Sequence, residues 1–472
     1  MKKPYKKQFD WLDFIRSVAI IAIPVALQNL LTTTGSMIDT MMIGKLGEQN
    51  VAAVGLCAQF SSLMFACYWG FVGGGMLFFS QFWGSRDDEG IEWSYGMTFT
   101  CMMTVGVIFG VLGHFLPGTV LKLYTDKEAI RTIGVEYLRI AALSYPIMVY
   151  SMVMCSVLRS TERVRIPMYS SIASVCTNIF LNWVFIYGHL GAPAMGVRGA
   201  ALATVCSSIV NAVCTFVLAK AVGSPYIFRF KGHFRWTKAR ITEYLKKCFP
   251  IICNELLIGI GNMVISIVMG RQVEEAIAAY AVFRTLEGMV IGFFAGFSNA
   301  ASILVGANVG AGEHRKAFER AWRLIYLCQG TIAAVGLLLV ALRSPILTAM
   351  SLSGDSYYYG AGMLIIYCVA AIIRMGNWAQ NDTYRSAGDA VTGTVMEIVF
   401  MYALLLPCVC ISGLVVKAPV LLTFAFCYVD EPIRYVIMQI HMYSAKWIRP
   451  VTEMGKAALP EFMESRKKAA RA

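Results

Sequence analysis

Asp39 lies in "QNLLTTTGSMIDTMMIGKLG", residues 28–47, among apolar and hydroxyl side chains. A carboxylate in such a run is costly unless it is hydrated or bonded. Two readings are open. The acid reaches water near the helix end or bonds to Thr32, Thr33, Thr34, Ser36 and Thr40. Otherwise it faces a cavity between helices and holds either a proton or a cation. That exclusion is the chemistry of antiport. Asn178 and Asn182, four apart in "VCTNIFLNWVFIYG", share one helix face and serve either as interhelical glue or as oxygen ligands. Glu255, beside Asn254 in "FPIICNELLIGIG", is a second buried acid, expected only about eight residues into its helix. Arg284 and Glu287, three apart, can neutralise each other. Arg374, Asn377, Asp382 and Arg385 form a similar group, and Asp430 and Glu431 interrupt "FCYVDEPIRYV". These later charges read as a mainly self-compensating network. The substrate or cavity candidates are Gln28, Asn29, Asn254, Glu255, Arg284, Glu287, Asn377 and Asp382. Pro24, inside the first helix, removes a backbone hydrogen bond and permits a bend, whereas Pro250 is expected near a helix start.

These residues need elements to hold them, and composition says which. Of the 472 residues, 57% are hydrophobic and 15% charged, with a mean hydropathy of +0.62. Apolar runs of at least about 18 residues recur along the chain, each able to cross a bilayer as a helix. Twelve such spans are expected, including 132–158, 248–270 and 419–443. The alternating ten-residue segments of a membrane β-barrel are absent. The net charge of +13 is a topology signal: 29 of the 41 Lys and Arg fall in segments on the side of the N-terminus and eight on the other. That bias puts both termini in the cytoplasm and argues against nucleic acid as a partner. The fourteen cysteines lack any C-x-x-C pair or nearby histidines, so they read as packing residues rather than metal ligands or disulfides. The first apolar segment, after "MKKPYKKQFDWLDFIRS", reads as a transmembrane helix and not as a signal peptide.

Shifting the chain by 226 residues superposes Pro24 on Pro250, Gly44 on Gly270, Gly70-Phe71 on Gly296-Phe297, Gly84 on Gly310 and Arg159-Ser160 on Arg385-Ser386. The expected fold class is an all-α polytopic membrane protein, twelve transmembrane helices in two six-helix bundles related by pseudo-two-fold symmetry. The expected boundaries are a tail at 1–12, an N-lobe at 13–222, a basic linker at 223–243, a C-lobe at 244–445 and a tail at 446–472. An even number of helices per repeat gives a two-fold axis along the membrane normal, a plan of secondary transporters with a site between the bundles. No selectivity-filter loop marks a channel, and no phosphate loop marks a nucleotide-driven motor. No hydrolase or metalloprotease motif occurs, and there are only five histidines.

In "MIDTMMIGKLGEQNVAAVG", "VLRSTERVRIPMYSSIASVCTNIFLNWVFIYG", "GVRGAALAT", "FPIICNELLIGIG" and "GFSNAASILVGANVGAGEHRKAF", the chain resembles the multidrug and toxic compound extrusion (MATE) family across about residues 13–445. The resemblance implies a V-shaped central cleft and export of cationic or amphipathic compounds in exchange for Na⁺ or H⁺. It implies that Asp39 is the ion-coupling carboxylate of the N-lobe, with Asn178 as its neighbour, Thr204 as a hydroxyl ligand and Pro24 as a hinge. Asn182 stands where several members have aspartate. Glu255 is similar to a seventh-helix glutamate of some members, and Asp382 resembles their tenth-helix carboxylate.

The expected function is therefore a secondary active exporter of cationic or amphipathic organic compounds. The ion-coupling set is Asp39, Asn178, Asn182 and Thr204, with Na⁺ or H⁺ as coupling ion, no cofactor and no other metal. Ion and cargo are expected to displace one another at Asp39. A flippase for lipid-linked oligosaccharide or peptidoglycan precursors is the alternative, and a polytopic membrane enzyme the second. The expected setting is a monomer in the cell membrane, in contact with lipid.

Overall fold

The computed structural model describes residues 10–471, so the tail residues 1–9 and their lysines lie outside it. Asp10 caps the first helix by accepting hydrogen bonds from the N–H groups of Leu12 (3.0 Å) and Asp13 (3.1 Å). In order, the helices are α1 (Trp11–Gly44), α2 (Glu48–Ser85), α3 (Asp88–Phe115), α4 (Glu128–Ala141), α5 (Ser144–Ser160), α6 (Arg165–Tyr187) and α7 (Val197–Ala221). After the linker come α8 (Lys238–Met269), α9 (Glu274–Gly310), α10 (His314–Ala341), α11 (Gly354–Ser386), α12 (Ala390–Val415), α13 (Val420–Phe426), α14 (Glu431–Ser444) and α15 (Glu453–Arg471). Ten of these are long and apolar enough to cross a membrane. One further pair, α4 with α5, is apolar enough to be a broken crossing, and α13 and α14 are likewise separated by a break.

The first break bends α4 against α5 by 51°. Pro146, in the first turn of α5, has no N–H to continue the helical ladder. The second break separates α13 from α14 at residues 427–430, just before Pro432. Asp430 and Glu431 thus stand at a helix N-terminus, where the helix dipole favours negative charge. α12 carries π-helical turns at Met401–Leu405 and Ile411–Val415 on either side of Pro407. Two sequence-based expectations change. α8 begins at Lys238, so both Pro250 and Glu255 lie in its interior, because a basic turn precedes the apolar run. α1 runs unbroken through Pro24, which is buried.

The repeat is visible in contacts. Gln28 Nε2 donates to Ser171 Oγ (2.8 Å), and the residues in the same register of the second half, Asn254 and Glu397, make the matching bond at 3.0 Å. The two bundles meet on the face that carries the described chain ends. A Cβ on Gly84 would sit 1.8 Å from the Ala307 carbonyl oxygen, and one on Gly310 would sit 1.9 Å from that of Gln81. Those two contacts exchange under the pseudo-two-fold, as an isologous interface requires. Gly70 faces Ile252, Gly74 faces Cys248 and Gly296 faces the Ala22 carbonyl, so small residues let the backbones approach. Gln81, fully buried, closes this face: its Nε2 donates to Ser386 O and its Oε1 accepts from Val451 N, each at 2.8 Å.

At the same end Asp389 caps α12. It accepts from Thr392 Oγ1 (3.0 Å), and His441 Nε2 (2.9 Å) and Arg449 Nη1 (3.1 Å) lie beside it. Burial pushes its pKa up, but the His441 and Thr392 hydrogen bonds and the Arg449 charge outweigh that and hold it below the usual carboxylate range.

Two outcomes follow from this face. Gly310→Val cannot fit without separating α2 from α9, so the purified protein should lose about 1–3 kcal/mol and melt at lower temperature; an unchanged melt would mean the seal tolerates a side chain. Asp389→Ala should cost ~1–2 kcal/mol at neutral pH through the lost cap. Because the folded-state pKa is depressed, that contribution is complete above an unfolded value of about 3.9 and disappears as pH falls through the lower folded value. Melting curves of the two proteins should therefore differ at pH 7 and converge below about pH 4.

Candidate functional site

Two polar constellations lie within the bundles, one in each lobe. In the first, Gly35 of α1 lies against Val175 of α6, where an added Cβ would come within 2.9 Å of Val175 Cγ1. That approach carries Asp39, one turn further along the same face, to α6. Asn182 Nδ2 donates to Asp39 Oδ1 at 2.6 Å and to Asn178 Oδ1 at 3.1 Å. Asn182 is fully buried, and its Oδ1 has no hydrogen-bond partner. Tyr187 ties the same pair of helices together by donating to Met42 O at 2.9 Å. Thr204 of α7 donates to Ala200 O (3.0 Å), and the Tyr137 hydroxyl lies in the neighbourhood of both Thr204 and Asp39. The structure thus brings Asp39, Asn178, Asn182 and Thr204 together. It adds Tyr137, which nothing in the sequence distinguishes from the other 21 tyrosines. No salt bridge reaches Asp39 among the described residues. Asn182 turns its amide N–H and not its oxygen to Asp39, so the acid is held by a neutral donor rather than by a cation.

The second constellation lines a cavity of about 610 Å³, walled chiefly by C-lobe helices and by α1 and α2. Glu287 binds Arg284 at 2.5 Å and Arg374 at 2.6 Å. Glu431 approaches Arg374 at 3.9 Å and Arg434 at 2.7 Å, and Asp430 sits 3.6 Å from Arg434. Glu397 is 3.8 Å from Arg434 and 4.0 Å from Arg385, which also meets Glu255 (3.4 Å) and Asp382 (3.7 Å). Asn377 donates to Glu431 Oε2 (2.7 Å) and to Glu431 O (3.0 Å), supporting the backbone at the α13–α14 break. A broken helix at membrane depth is tolerated where it lines such a cavity. Asn254 and Asn381 each donate to Glu397 at 3.0 Å.

The later charges form a network, as expected, but its compensation is incomplete, since six acids face four arginines. Glu397, a lone acid in the apolar run "VMEIVF", carried the same sequence signal as Asp39 and was missed. Of the cavity candidates, Asn29, Glu255, Arg284, Glu287, Asn377 and Asp382 line the wall. Gln28 does not, since its amide is engaged with Ser171 between α1 and α6; Asn254 lies behind the wall on Glu397. Asp39 is also absent from this wall, which α1 reaches through Asn29, Thr32 and Thr33.

Comparisons with known proteins place these features in context. The MatE family model matches residues 24–184 and 250–410, two stretches in the same register as the internal repeat. The chain is similar to "Probable multidrug resistance protein YoeA" of Bacillus subtilis (strain 168), 25% identical over 400 residues, covering 83% of this chain and 85% of that one. It is also similar to "Uncharacterized transporter YisQ" of the same organism, 22% identical over 453 residues, covering 95% and 97%. Among solved structures, the crystal structure of MATE in complex with MaL6 aligns with a TM-score of 0.83 at 16% identity, over 92% of this chain and 97% of that one. At that identity the match speaks for the fold alone.

Glu287 holds two arginines, and removing its charge strands both. Glu287→Gln should cost ~3–5 kcal/mol. Arg284→Gln should cost clearly less, because Glu287 keeps Arg374 and the Arg284 side chain is already 47% exposed. Thermal melts of the two variants in detergent test the order; equal losses would show that Glu287 is not the shared anchor.

Proposed function

The chain belongs to the MatE family, and from that premise we propose that it is a multidrug efflux transporter driven by inward flux of Na⁺ or H⁺. It is a multi-pass membrane transporter and not an enzyme. The cargo in this reading is a cationic or amphipathic organic compound, carried by alternating access in a monomer surrounded by lipid. The observation that carries the coupling is the Asp39 cluster, in which an acid without a basic partner among the described residues lies 2.6 Å from a buried asparagine whose own oxygen is unpaired.

The chemistry divides between lobes. Asp39 takes a proton or, with Asn178, Asn182, Thr204 and Tyr137, a sodium ion, while the charged C-lobe cavity takes the cargo. α1 joins them. Its far half carries Asp39, its middle lines the cavity, and its first half packs on α9 through Ala22 against Gly296, with Asn29 Nδ2 donating to Gly292 O at 3.0 Å. Ion binding removes a charge from one part of α1 and changes how that helix fits its neighbours; Pro24 lacks one rung of the ladder, which lowers the cost of a bend. Coupling of this kind is reciprocal, so cargo binding weakens ion binding by the factor that the ion weakens cargo binding. With the termini in the cytoplasm, as the charge bias supports, the sealed face is the inner one and the cleft opens outward. A pyrophosphate-linked lipid precursor would be repelled by a cavity where acids outnumber arginines, so the flippase reading is not favoured.

Asp39→Asn should insert and fold yet lose gradient-driven export. Proteoliposomes with an imposed Na⁺ or pH gradient provide the measurement and name the ion; wild-type transport by the variant would sink the coupling role. Since Asn182 orients the acid, Asn182→Ala should weaken transport by about tenfold and, because the side chain is fully buried and donates two hydrogen bonds, also cost about 1–3 kcal/mol of stability.

A further inference from the structure

Between α14 and α15 the chain crosses the sealed face as a turn and a short extended strap, residues 445–452, "AKWIRPVT". Most of it is fixed to the C-lobe. Trp447 and Ile448 are buried in the apolar cluster that holds Val305, Ile325 and Tyr384. Arg449 N donates to Ala387 O at 2.8 Å, and Thr452 Oγ1 donates to Gly310 O at 2.7 Å. His314 Nε2 meets Gly455 O at 2.8 Å just beyond the strap. Gly388 bridges to Ile448 with φ at +101°, and a Cβ there would stand 1.9 Å from Arg449 O, so only glycine lets the strap lie this close.

The far end of the strap reaches the other lobe. Val451 N donates to Gln81 Oε1 at 2.8 Å, and the Val451 side chain joins the buried cluster of Phe78, Phe82, Ile91 and Trp93. The first half of the repeat makes no such crossing with the segment in the same register, residues 219–226. There Tyr226 donates its hydroxyl to Thr161 Oγ1 at 2.8 Å and Arg163 donates to Ser224 Oγ, so the segment folds back on its own lobe. Gln81 corresponds to Ala307, which has no amide to receive a strap. The crossing thus belongs to the second half alone and not to the shared scaffold.

We propose that residues 445–452 are a latch, fixed to the C-lobe and clasping the N-lobe at Gln81, that sets how often the sealed face opens. Parting the lobes on this side pulls Val451 out of its apolar site and breaks its bond to Gln81. A weaker clasp therefore raises the population of the opened state in proportion. The inference rests on the alternating-access reading for the use made of that opening, but its test does not depend on transport.

A native reporter lies at the seal. Cys248 of α8 is fully buried against Gly74 of α2, whereas Cys57 and Cys328 are buried within the N-lobe and the C-lobe. Full-length protein in lipid nanodiscs is treated with N-ethylmaleimide, and adducts at the three cysteines are followed by peptide mass spectrometry. With reaction slower than reclosing, the Cys248 rate follows the open population. Val451→Ala removes two buried methyl groups, and Gly388→Ala lifts the strap from the α11–α12 turn without touching the N-lobe. Each should speed Cys248 by about tenfold and leave Cys57 and Cys328 unchanged. An unchanged Cys248 rate in both variants overturns the latch; so does equal acceleration at all three cysteines, which marks general loosening. Gradient-driven transport in proteoliposomes separates the two readings. Transport by the wild type with Cys248 unmoved in the variants removes the latch alone; selective acceleration at Cys248 without transport by the wild type upholds the latch and counts against the exporter.

Discussion

An ionised side chain taken out of water has to find an opposite charge, a ring of hydrogen-bonding groups or an aqueous cavity, because the hydrocarbon offers none of these. That requirement organises the interior of this protein. In the C-lobe it is met by pairing: arginines and acids alternate from helix to helix, and Glu287 and Glu431 are buried with two cations each. In the N-lobe it is met differently. Asp39 has an amide at 2.6 Å and hydroxyls nearby, and no arginine or lysine pairs with it among the described residues. A carboxylate held by neutral oxygens and amides is free to exchange a proton or a cation, whereas one locked between two guanidinium groups is not.

The same duplicated scaffold therefore carries two kinds of polar cluster. The bond between Gln28 and Ser171 recurs as the bond between Asn254 and Glu397, so the helices α1 and α6 meet as α8 and α12 do. A hydroxyl in one half has become an acid in the other. Each half also breaks one crossing, but at non-equivalent places. The α4–α5 bend follows Tyr137 of the Asp39 cluster, and the α13–α14 break puts Asp430 and Glu431 on the cavity wall. Both breaks expose backbone groups that a lipid-facing helix could not leave unsatisfied, and both lie beside polar side chains.

The seal on one face follows from the absence of side chains. Gly84, Gly310, Gly74 and Gly296 bring backbones close enough that a methyl group would collide, so the bundles close by shape and Gln81 fastens the closure with two hydrogen bonds. Such an interface gains little from hydrophobic burial in a bilayer and depends on close packing.

The sequence by itself was enough for the all-helical class, the two-lobed repeat and the membrane setting, because apolar length and register survive in composition and spacing; the family match falls in the same register. It also exposed Asp39, Asn178, Asn182 and Glu255, since a polar residue in a greasy run is conspicuous wherever it folds. Which of these groups meet was not legible. Asn182 reaches Asp39, 143 residues away, and Arg374 and Glu287, 87 residues apart, share a short ion pair only because helices from distant parts of the chain pack side by side. Helix starts were misplaced for a related reason: the basic turn that opens α8 is polar, so hydropathy stops short of Lys238 and Pro250 looked terminal when it is interior. Tertiary structure alone separated the Asp39 cluster from the charged cavity, because one helix can turn one end of its face to its own lobe and line the space between lobes with another.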